Sequence, residues 1–325
     1  MAVATEPGQA QSAPTQHRWD LSVPWSAQEF HTRNAERFAR AVTKATAGAV
    51  QITVHPGAVL GLKGPESLRA LGEGVVQMAE MPGTQQIGAA PILGLDSLPF
   101  LIADQTDLRR FDRLLRPVME EVLAEHNVKL LYRVPWPNQN MFFNRPIRRL
   151  SDLEGLRMRT YDRLSSALVR NLGMQSVQMP LGDVVPALAA GGLDATMTST
   201  TTAAAQRYWS FFDIILRTNH TWVSNMMAVN LDAWRKLSPD HRAAIGRVAA
   251  ELEPDFWAVA RADDRKQLNR LVEAGMTVQS PSNDLADAMR QAAKPIWTRF
   301  LAQARPEAGE ILTAFQRRQA RDDGS

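Results

Sequence analysis

The chain has 325 residues, of which 45% are hydrophobic; this is enough to bury one large core or two ordinary ones, and the length favours two lobes. With 37 Lys and Arg against 34 Asp and Glu the chain is close to neutral, and its basic residues form no cluster that would predict nucleic-acid binding. It has no cysteine, which excludes disulfides and thiolate chemistry, and no apolar run of the roughly 18 residues that a membrane span needs.

Residues 1–17 are small, polar and proline-bearing, and they lack the charged and apolar regions of an intact signal peptide. We expect a disordered lead-in here. The small residues of Ala10–Ala13 are typical of a cleavage region, so this stretch is either the remnant of a trimmed export signal or a plain flexible tail. At the other end, the polar residues 321–325 predict a frayed tail.

The first part of the chain alternates predicted strands and helices. Apolar alternation predicts strands at Trp19–Val23, Val50–Val54, Val75–Met81 and Val128–Tyr132. Apolar residues at helical spacing predict helices at Glu29–Ala47, Pro65–Gly74 and Asp107–His126. Strands separated by helices indicate βαβ units around a largely parallel sheet, so the predicted fold class is α/β.

A second series begins near Asp152 and indicates a second lobe. Its strands and helices are predicted at Leu156–Thr160, Arg163–Leu172, Ser176–Gln178, Asp183–Ala190 and Leu193–Met197. Ser238 and Pro239 then supply an N-cap and a first helical proline for a long helix that runs to about Leu271. Pro254 lies inside it and predicts a kink, which suits an element shared by two lobes. The last helices are predicted at Asn283–Ala304 and Glu307–Gln319.

The segment from Ser151 to Ala195 carries a more specific pattern. It resembles the DLKGLKxR signature of the TRAP-type (DctP family) solute receptors at Asp152, Leu153, Gly155, Leu156, Arg157, Met158 and Arg159. It also resembles that family's LGA…PVPMPFGEVYTALQQGVVDG pattern at Gly173, Val177, Met179, Pro180, Gly182, Asp183, Ala187, Leu188, Gly191 and Asp194. The order and spacing of the family marks extend over about Trp19 to Ala320, which is a stronger signal than any single motif.

This resemblance implies a two-lobed periplasmic-binding-protein fold, type II-like, with a cleft between the lobes and a long kinked helix shared by both. We place lobe I at 18–135 plus about 225–253, and lobe II at about 136–224 plus about 254–320. The resemblance further implies a periplasmic receptor that hands a small organic acid to a sodium-coupled TRAP membrane transporter. No cofactor is implied, and we expect a monomer.

The first candidate ligand residue is Arg159. On a strand, Arg157, Arg159 and Tyr161 share one face, so Arg159 and Tyr161 can project together into a cleft. A guanidinium matches a carboxylate with two parallel hydrogen bonds, and the matching family residue clamps the ligand carboxylate. The alternative is a surface arginine on an edge strand. Arg157 matches a peripheral family position and is left out of the site.

A second candidate cluster lies in the run YRVPWPNQNMFF, where two prolines stiffen a crossing segment. Trp136 offers an apolar wall, and Asn138 and Gln139 offer amides that fix a ligand's orientation. The PWPxQ run resembles the pyroglutamate-type branch of the family more than its sialic-acid or C4-dicarboxylate branches. The alternative is an inter-lobe connection with Trp136 in the core.

A third cluster, DATMTSTTT, ends a strand with a row of hydroxyls. Ligands of open α/β sheets bind beyond the carboxyl ends of strands, so Thr198 and Ser199 are candidates. The alternative is a Thr-rich helix start, since hydroxyls often cap helices. Family members often have Asn or Glu here, and this chain does not. Trp222 and Trp25 are further candidate walls, with core packing as the alternative.

The sequence also bears on two other functions, an enzyme and a receptor for a sensor kinase. The six histidines show no metal-binding spacing, and no nucleophile elbow or phosphate loop is present, so no motif predicts an enzyme. A receptor that presents its ligand to a membrane sensor kinase would use the same fold. One arginine fork with aromatic walls favours a monocarboxylate, a description that fits pyroglutamate, a 2-oxo acid, a hydroxy acid or an aromatic acid.

Overall fold

The computed structural model describes residues 16–322. In that range the strands are β1 (His17–Ser22), β2 (Val50–His55), β3 (Met78–Pro82), β4 (Val128–Pro135), β5 (Asn140–Phe143), β6 (Arg157–Thr160), β7 (Gln175–Gln178), β8 (Ala195–Thr198), β9 (Ile214–Leu216), β10 (Ser224–Asn230) and β11 (Thr277–Gln279). The α-helices are α1 (Phe30–Ala45), α2 (Ser67–Gly72), α3 (Gln105–Glu125), α4 (Arg163–Asn171), α5 (Val184–Ala189), α6 (Thr200–Ala205), α7 (Leu231–Arg235), α8 (Pro239–Glu273), α9 (Asn283–Gln303) and α10 (Pro306–Asp322).

These strands form two separate sheets. The first has the order β2-β1-β3-β10-β4, and the second has the order β11-β9-β5-β8-β6-β7. In the first sheet β1 is parallel to β2 and β3, while β10 is antiparallel to both of its neighbours. In the second sheet β6 is parallel to β7 and β8, while β5 is antiparallel to β8 and β9. Two mixed sheets with helices on their faces confirm the predicted α/β class of two lobes.

Two neighbouring segments cross between the sheets. One leads from β4 to β5 and the other leads from β9 to β10. The Trp136 N–H donates to the Val223 carbonyl at 2.7 Å, and the Gln139 N–H donates to the Thr221 carbonyl at 2.9 Å. Because the two crossings are hydrogen-bonded to each other, they form one double-stranded connection between the lobes.

The long helix α8 touches both lobes. Its N-cap is Ser238, whose hydroxyl accepts from the His241 N–H at 3.2 Å, as the sequence predicts. It packs on α1 and β4 of the first lobe and on α6 of the second lobe. Pro254 lies inside the helix, which continues through it to Glu273. At the C-terminus, α9 packs on α4 of the second lobe and α10 packs on α3 of the first lobe.

The structure moves several predicted boundaries. The lead-in was predicted to extend through residue 17, but His17 is the first residue of β1, where its N–H donates to the Ala49 carbonyl. β3 begins three residues later than predicted, because Gly74 has a left-handed conformation and Val75 stays exposed in the following turn. Residues 321 and 322 belong to α10. Residues 1–15 and 323–325 lie outside the described range, and the exact lobe limits stay a prediction.

A buried charge network ties the first sheet to α3 and α8. Arg133 of β4 donates to Asp96 at 2.5 Å and to Asp112 of α3. Arg116 donates to Asp112 at 3.0 Å and also to Glu253 of α8. Arg133 is 1% exposed, and the two aspartates raise its pKa against the effect of burial, which is the largest single influence. The network fixes where α8 lies on the first lobe.

Arg133→Ala should lower the free energy of unfolding by about 3–5 kcal/mol, because it leaves buried Asp96 without its cation and Asp112 with Arg116 alone. Arg305→Ala is the control, since its partly exposed guanidinium pairs with Glu121 and Glu125 at the surface, where solvent screens the charges, and it should leave the unfolding midpoint nearly unchanged. Urea unfolding followed by circular dichroism measures both. Equal unfolding midpoints for the two variants would contradict the role assigned to the network.

Candidate ligand-binding site

A cavity of about 200 Å³ lies between the two lobes. Loops of the first lobe, loops and strand ends of the second lobe, and the crossing segments all contribute to its wall. The lining residues are Pro24, Trp25, Gly57, Ala58, Lys63, Pro82, Thr84, Gln85, Trp136, Gln139, Arg159, Tyr161, Pro180, Leu181, Gly182, Thr198, Ser199, Thr202 and Val223. Its size suits a small molecule held by both lobes at once.

Arg159 places its guanidinium in this cavity. β6 pairs with β7 at Val177 and with β8 at Thr196, and the side chain is 3% exposed. Nε and Nη2 donate to the Met179 carbonyl at 3.2 and 3.1 Å, and Nη1 donates to the Met197 carbonyl at 3.4 Å. Burial lowers the pKa of Arg159, but an arginine remains protonated in a protein. No carboxylate of residues 16–322 lies at ion-pair distance from it.

Arg157, two residues earlier, is in a different situation. Its Nε and Nη2 donate to the two carboxylate oxygens of Asp194 at 2.9 and 2.7 Å, and the pair is partly exposed. The Asp194 hydrogen bond raises the pKa of Arg157. Arg157 therefore has a direct carboxylate partner, whereas Arg159 has none at ion-pair distance and is influenced by the charge of Asp162 only from farther away.

Aromatic rings form two walls of the cavity. The Arg159 guanidinium carbon lies 5.7 Å from the centre of the Tyr161 ring. Trp25 and Trp136 meet edge to face, with ring centres 4.8 Å apart. The structure therefore brings a residue from the first lobe, one from the crossing and one from the second lobe to the same cavity.

Polar side chains complete the lining. Thr198 ends β8, and Ser199 follows it, with a hydroxyl that accepts from the Thr202 N–H at 3.2 Å. Ser199 is thus both a cavity residue and the N-cap of α6, so the two interpretations made from the sequence are compatible. Gln139 donates its amide to the Pro137 carbonyl at 2.9 Å.

Two candidate residues lie elsewhere. Asn138 and Trp222 are partly buried but are absent from the cavity wall. Trp222 packs against the large core cluster, and the backbone carbonyl of Asn138 accepts from Asn140. Of the adjacent residues Asn138 and Gln139, Gln139 reaches the cavity and Asn138 does not, because the side chains of consecutive residues in an extended chain point in opposite directions.

Several lining residues of the first lobe carry no recognisable signal in the sequence. Thr84 donates to Asp162 of the second lobe, and Lys63 lies 3.9 Å from Asp183 of the second lobe. Burial raises the pKa of Asp162. These contacts join the lobes directly, through loops that no periodicity or motif marks.

Within residues 16–322 no group of three or more His, Asp and Glu is placed to hold a metal ion. In the same range no helix is both long and apolar enough to cross a bilayer.

Two α/β lobes that enclose a cavity at their junction define the class of periplasmic binding proteins. The family model "Bacterial extracellular solute-binding protein, family 7" (DctP) matches residues 21–304. The chain belongs to this family of TRAP-type solute receptors, which confirms the resemblance seen in the sequence.

Solved structures and relatives agree with this assignment. The Bordetella pertussis extracytoplasmic solute receptor DctP7, described as binding pyroglutamic acid, is 27% identical, with a TM-score of 0.89 over 92% of this chain and 99% of that chain. A marine metagenome TRAP solute-binding protein, described as specific for pyroglutamate, is 26% identical, with a TM-score of 0.89 over 93% and 99%. A solute-binding protein of Chromohalobacter salexigens is 23% identical over 86% of this chain and 83% of the relative.

One buried carboxyl has no partner. Glu29 precedes α1 and is 1% exposed, and neither of its carboxyl oxygens has a hydrogen-bond partner within the described range. Burial, with smaller contributions from Asp263 and Glu80, raises the pKa of Glu29 from 4.5 to about 8, and Arg33 opposes this. At neutral pH the group is therefore mainly protonated in the folded protein.

Because folded Glu29 keeps a proton that the unfolded chain releases above about pH 4.5, stability should fall as the pH rises from about 4.5 to about 8. Glu29→Gln removes this dependence, so its Tm relative to the parent should be higher at about pH 9 than at about pH 4. Glu36→Gln, on α1 with a side chain that is 42% exposed, is the control and should show no such trend. Thermal melts at both pH values decide, and an offset independent of pH would disprove the assignment.

Proposed function

We propose that this protein captures a small monocarboxylate between its lobes and delivers it to a sodium-coupled TRAP transporter. The observation that carries the proposal is the guanidinium of Arg159, which is buried in the cavity without a carboxylate partner. An uncompensated buried cation is costly, and an anionic ligand removes that cost. Arg159 therefore favours a ligand with a negative charge.

The donors left on Arg159 also favour a carboxylate. A guanidinium has five N–H donors, of which Nε has one and each terminal nitrogen has two. Nε and Nη2 each donate one N–H to the Met179 carbonyl, and Nη1 donates one N–H to the Met197 carbonyl. One N–H remains on each terminal nitrogen, the set that two parallel bonds to a carboxylate use.

The rest of the cavity favours a compact acid with some polar groups. Tyr161, Trp25 and Trp136 supply apolar area, while Gln139, Thr198 and Ser199 supply groups that orient a ligand. The two structures described above as pyroglutamate receptors support pyroglutamate as the first compound to test. A 2-oxo acid, a hydroxy acid and an aromatic acid satisfy the same chemistry and belong in the same screen.

The cellular context belongs to the same proposal. Family membership supports an exported, periplasmic protein with membrane transport subunits as its partners, and we expect it to act as a monomer. The alternative is presentation of the ligand to a sensor kinase, which the same fold allows. Deletion of the gene should abolish uptake of the acid if the protein serves a transporter, and should leave uptake intact if it serves only a sensor.

Arg159→Ala should nearly abolish binding while the protein stays folded. Loss of one member of a desolvated charge pair costs about 2–5 kcal/mol, or roughly thirtyfold to several-thousandfold in affinity. Arg159→Lys keeps the charge but loses the planar fork, so it should recover only part of the affinity. A thermal-shift screen of small organic acids selects the ligand, and calorimetry then measures the dissociation constants.

Arg157→Ala is the matched control, since it removes an arginine of the same strand whose charge Asp194 already neutralises. It should bind within about threefold of the parent, well below the cost of a desolvated pair. If Arg159→Ala also stayed within that limit, the carboxylate clamp would be disproved.

The bound acid should be released unchanged. No nucleophile or cofactor motif was found in the sequence, so we expect binding without turnover. Mass spectrometry after prolonged incubation with excess protein measures this, with an incubation lacking protein as the control. A product that forms only when the protein is present would overturn the receptor assignment.

A further inference from the structure

The tryptophan wall of the cavity is anchored by buried side chains behind it. Trp136 Nε1 donates to Asn225 Oδ1 at 2.8 Å, and Asn225 Nδ2 donates to Glu80 Oε1 at 3.0 Å. His31 Nδ1 lies 2.8 Å from the same Glu80 oxygen. All four side chains are at most 5% exposed, and only Trp136 lines the cavity.

The chemistry of the groups fixes the direction of the two hydrogen bonds that the Asn225 side chain makes. The indole N–H can only donate, so the Asn225 group that faces it must be the carbonyl oxygen. The amide nitrogen then faces Glu80, whose Oε1 accepts the hydrogen bond. Because both ends of the amide are engaged, it cannot flip without leaving buried groups unpaired.

Asn225 lies in the first sheet close to the crossing segments. It is the second residue of β10, paired with Pro82 of β3 and with Val134 of β4, next to both crossing segments. Trp25 rests edge to face on Trp136, so the plane of Trp136 also sets that of its neighbour. The Asn225 side chain is therefore linked to the orientation of both Trp136 and Trp25.

We propose that Asn225, held by Glu80, is a positioning residue that fixes the plane of Trp136 against the ligand. The proposal rests on the receptor function and deepens it. Asn225 touches no ligand itself: it turns the polar edge of the indole away from the cavity and leaves the ring face to pack on the bound acid.

The first test needs no ligand. In the ¹⁵N spectrum of the ligand-free protein, the indole N–H signal of Trp136, assigned by its loss in Trp136→Phe, should exchange slowly with solvent. Asn225→Leu removes the acceptor at similar volume and should speed that exchange about tenfold or more, the equivalent of one buried hydrogen bond. Unchanged exchange would overturn the proposal. Asn225→Ala is the second variant if Asn225→Leu does not fold.

The second test is a double-mutant cycle on the affinity for L-pyroglutamate, measured by calorimetry. Asn225→Leu alone should weaken binding about five- to fiftyfold. In the Trp136→Phe background, which lacks the indole donor, the same change should alter affinity by about twofold or less, because coupled residues are not additive. Additive losses would show that Asn225 acts through general stability and would overturn the proposal.

Asn230→Leu is the matched control on the same strand. Asn230 is also buried, donates to the Leu71 carbonyl at 2.8 Å and caps α7, but it lies at the far end of β10. Its loss should lower stability while leaving the Trp136 exchange rate and the affinity unchanged. If the parent does not bind L-pyroglutamate, that ligand assignment fails, and the exchange measurement still decides the role of Asn225.

Discussion

The buried guanidinium of Arg159 is the constraint on which the binding site depends. Three backbone hydrogen bonds hold it, and its acceptors lie beyond the end of β7 and within β8. The second sheet must therefore keep β6 between these two strands for the charge to point into the cavity. Backbone carbonyls, and no directly paired carboxylate, hold the group, which is why the ligand proposed above is an anion.

Because the fold has two lobes, the surroundings of Arg159 depend on how far the lobes are closed. The Arg159 guanidinium and the hydroxyls of Thr198 and Ser199 come from the second lobe. Trp25 and Thr84 come from the first lobe. The crossings join the lobes through the chain itself, and the Thr84–Asp162 hydrogen bond is a further contact between them. A ligand that touches both walls stabilises the closed arrangement, which is how a binding protein couples occupancy to its shape.

The first lobe supports this site with polar groups that are mostly paired. Arg133 anchors α8 through two aspartates, and Asn225 joins the crossing to β3 through Glu80. Glu29 differs from these groups because neither of its carboxyl oxygens has a hydrogen-bond partner in the described range, and burial is the largest cause of its raised pKa. The paired polar groups of this lobe therefore define geometry, and Glu29 is the group from which we expect a pH-dependent stability.

The sequence by itself determined the alternation of strands and helices, the start of α8 at Ser238, and a strand that carries Arg159 toward a cleft, because periodicity and capping are local. Strand periodicity could not separate Arg159 from Arg157, and only the family resemblance did, since the contact that distinguishes them is with Asp194, distant along the chain. Nor could the sequence identify Thr84. Only the tertiary structure decided which residues meet, because contacts between distant segments depend on how sheets pack, and no spacing along the chain records that.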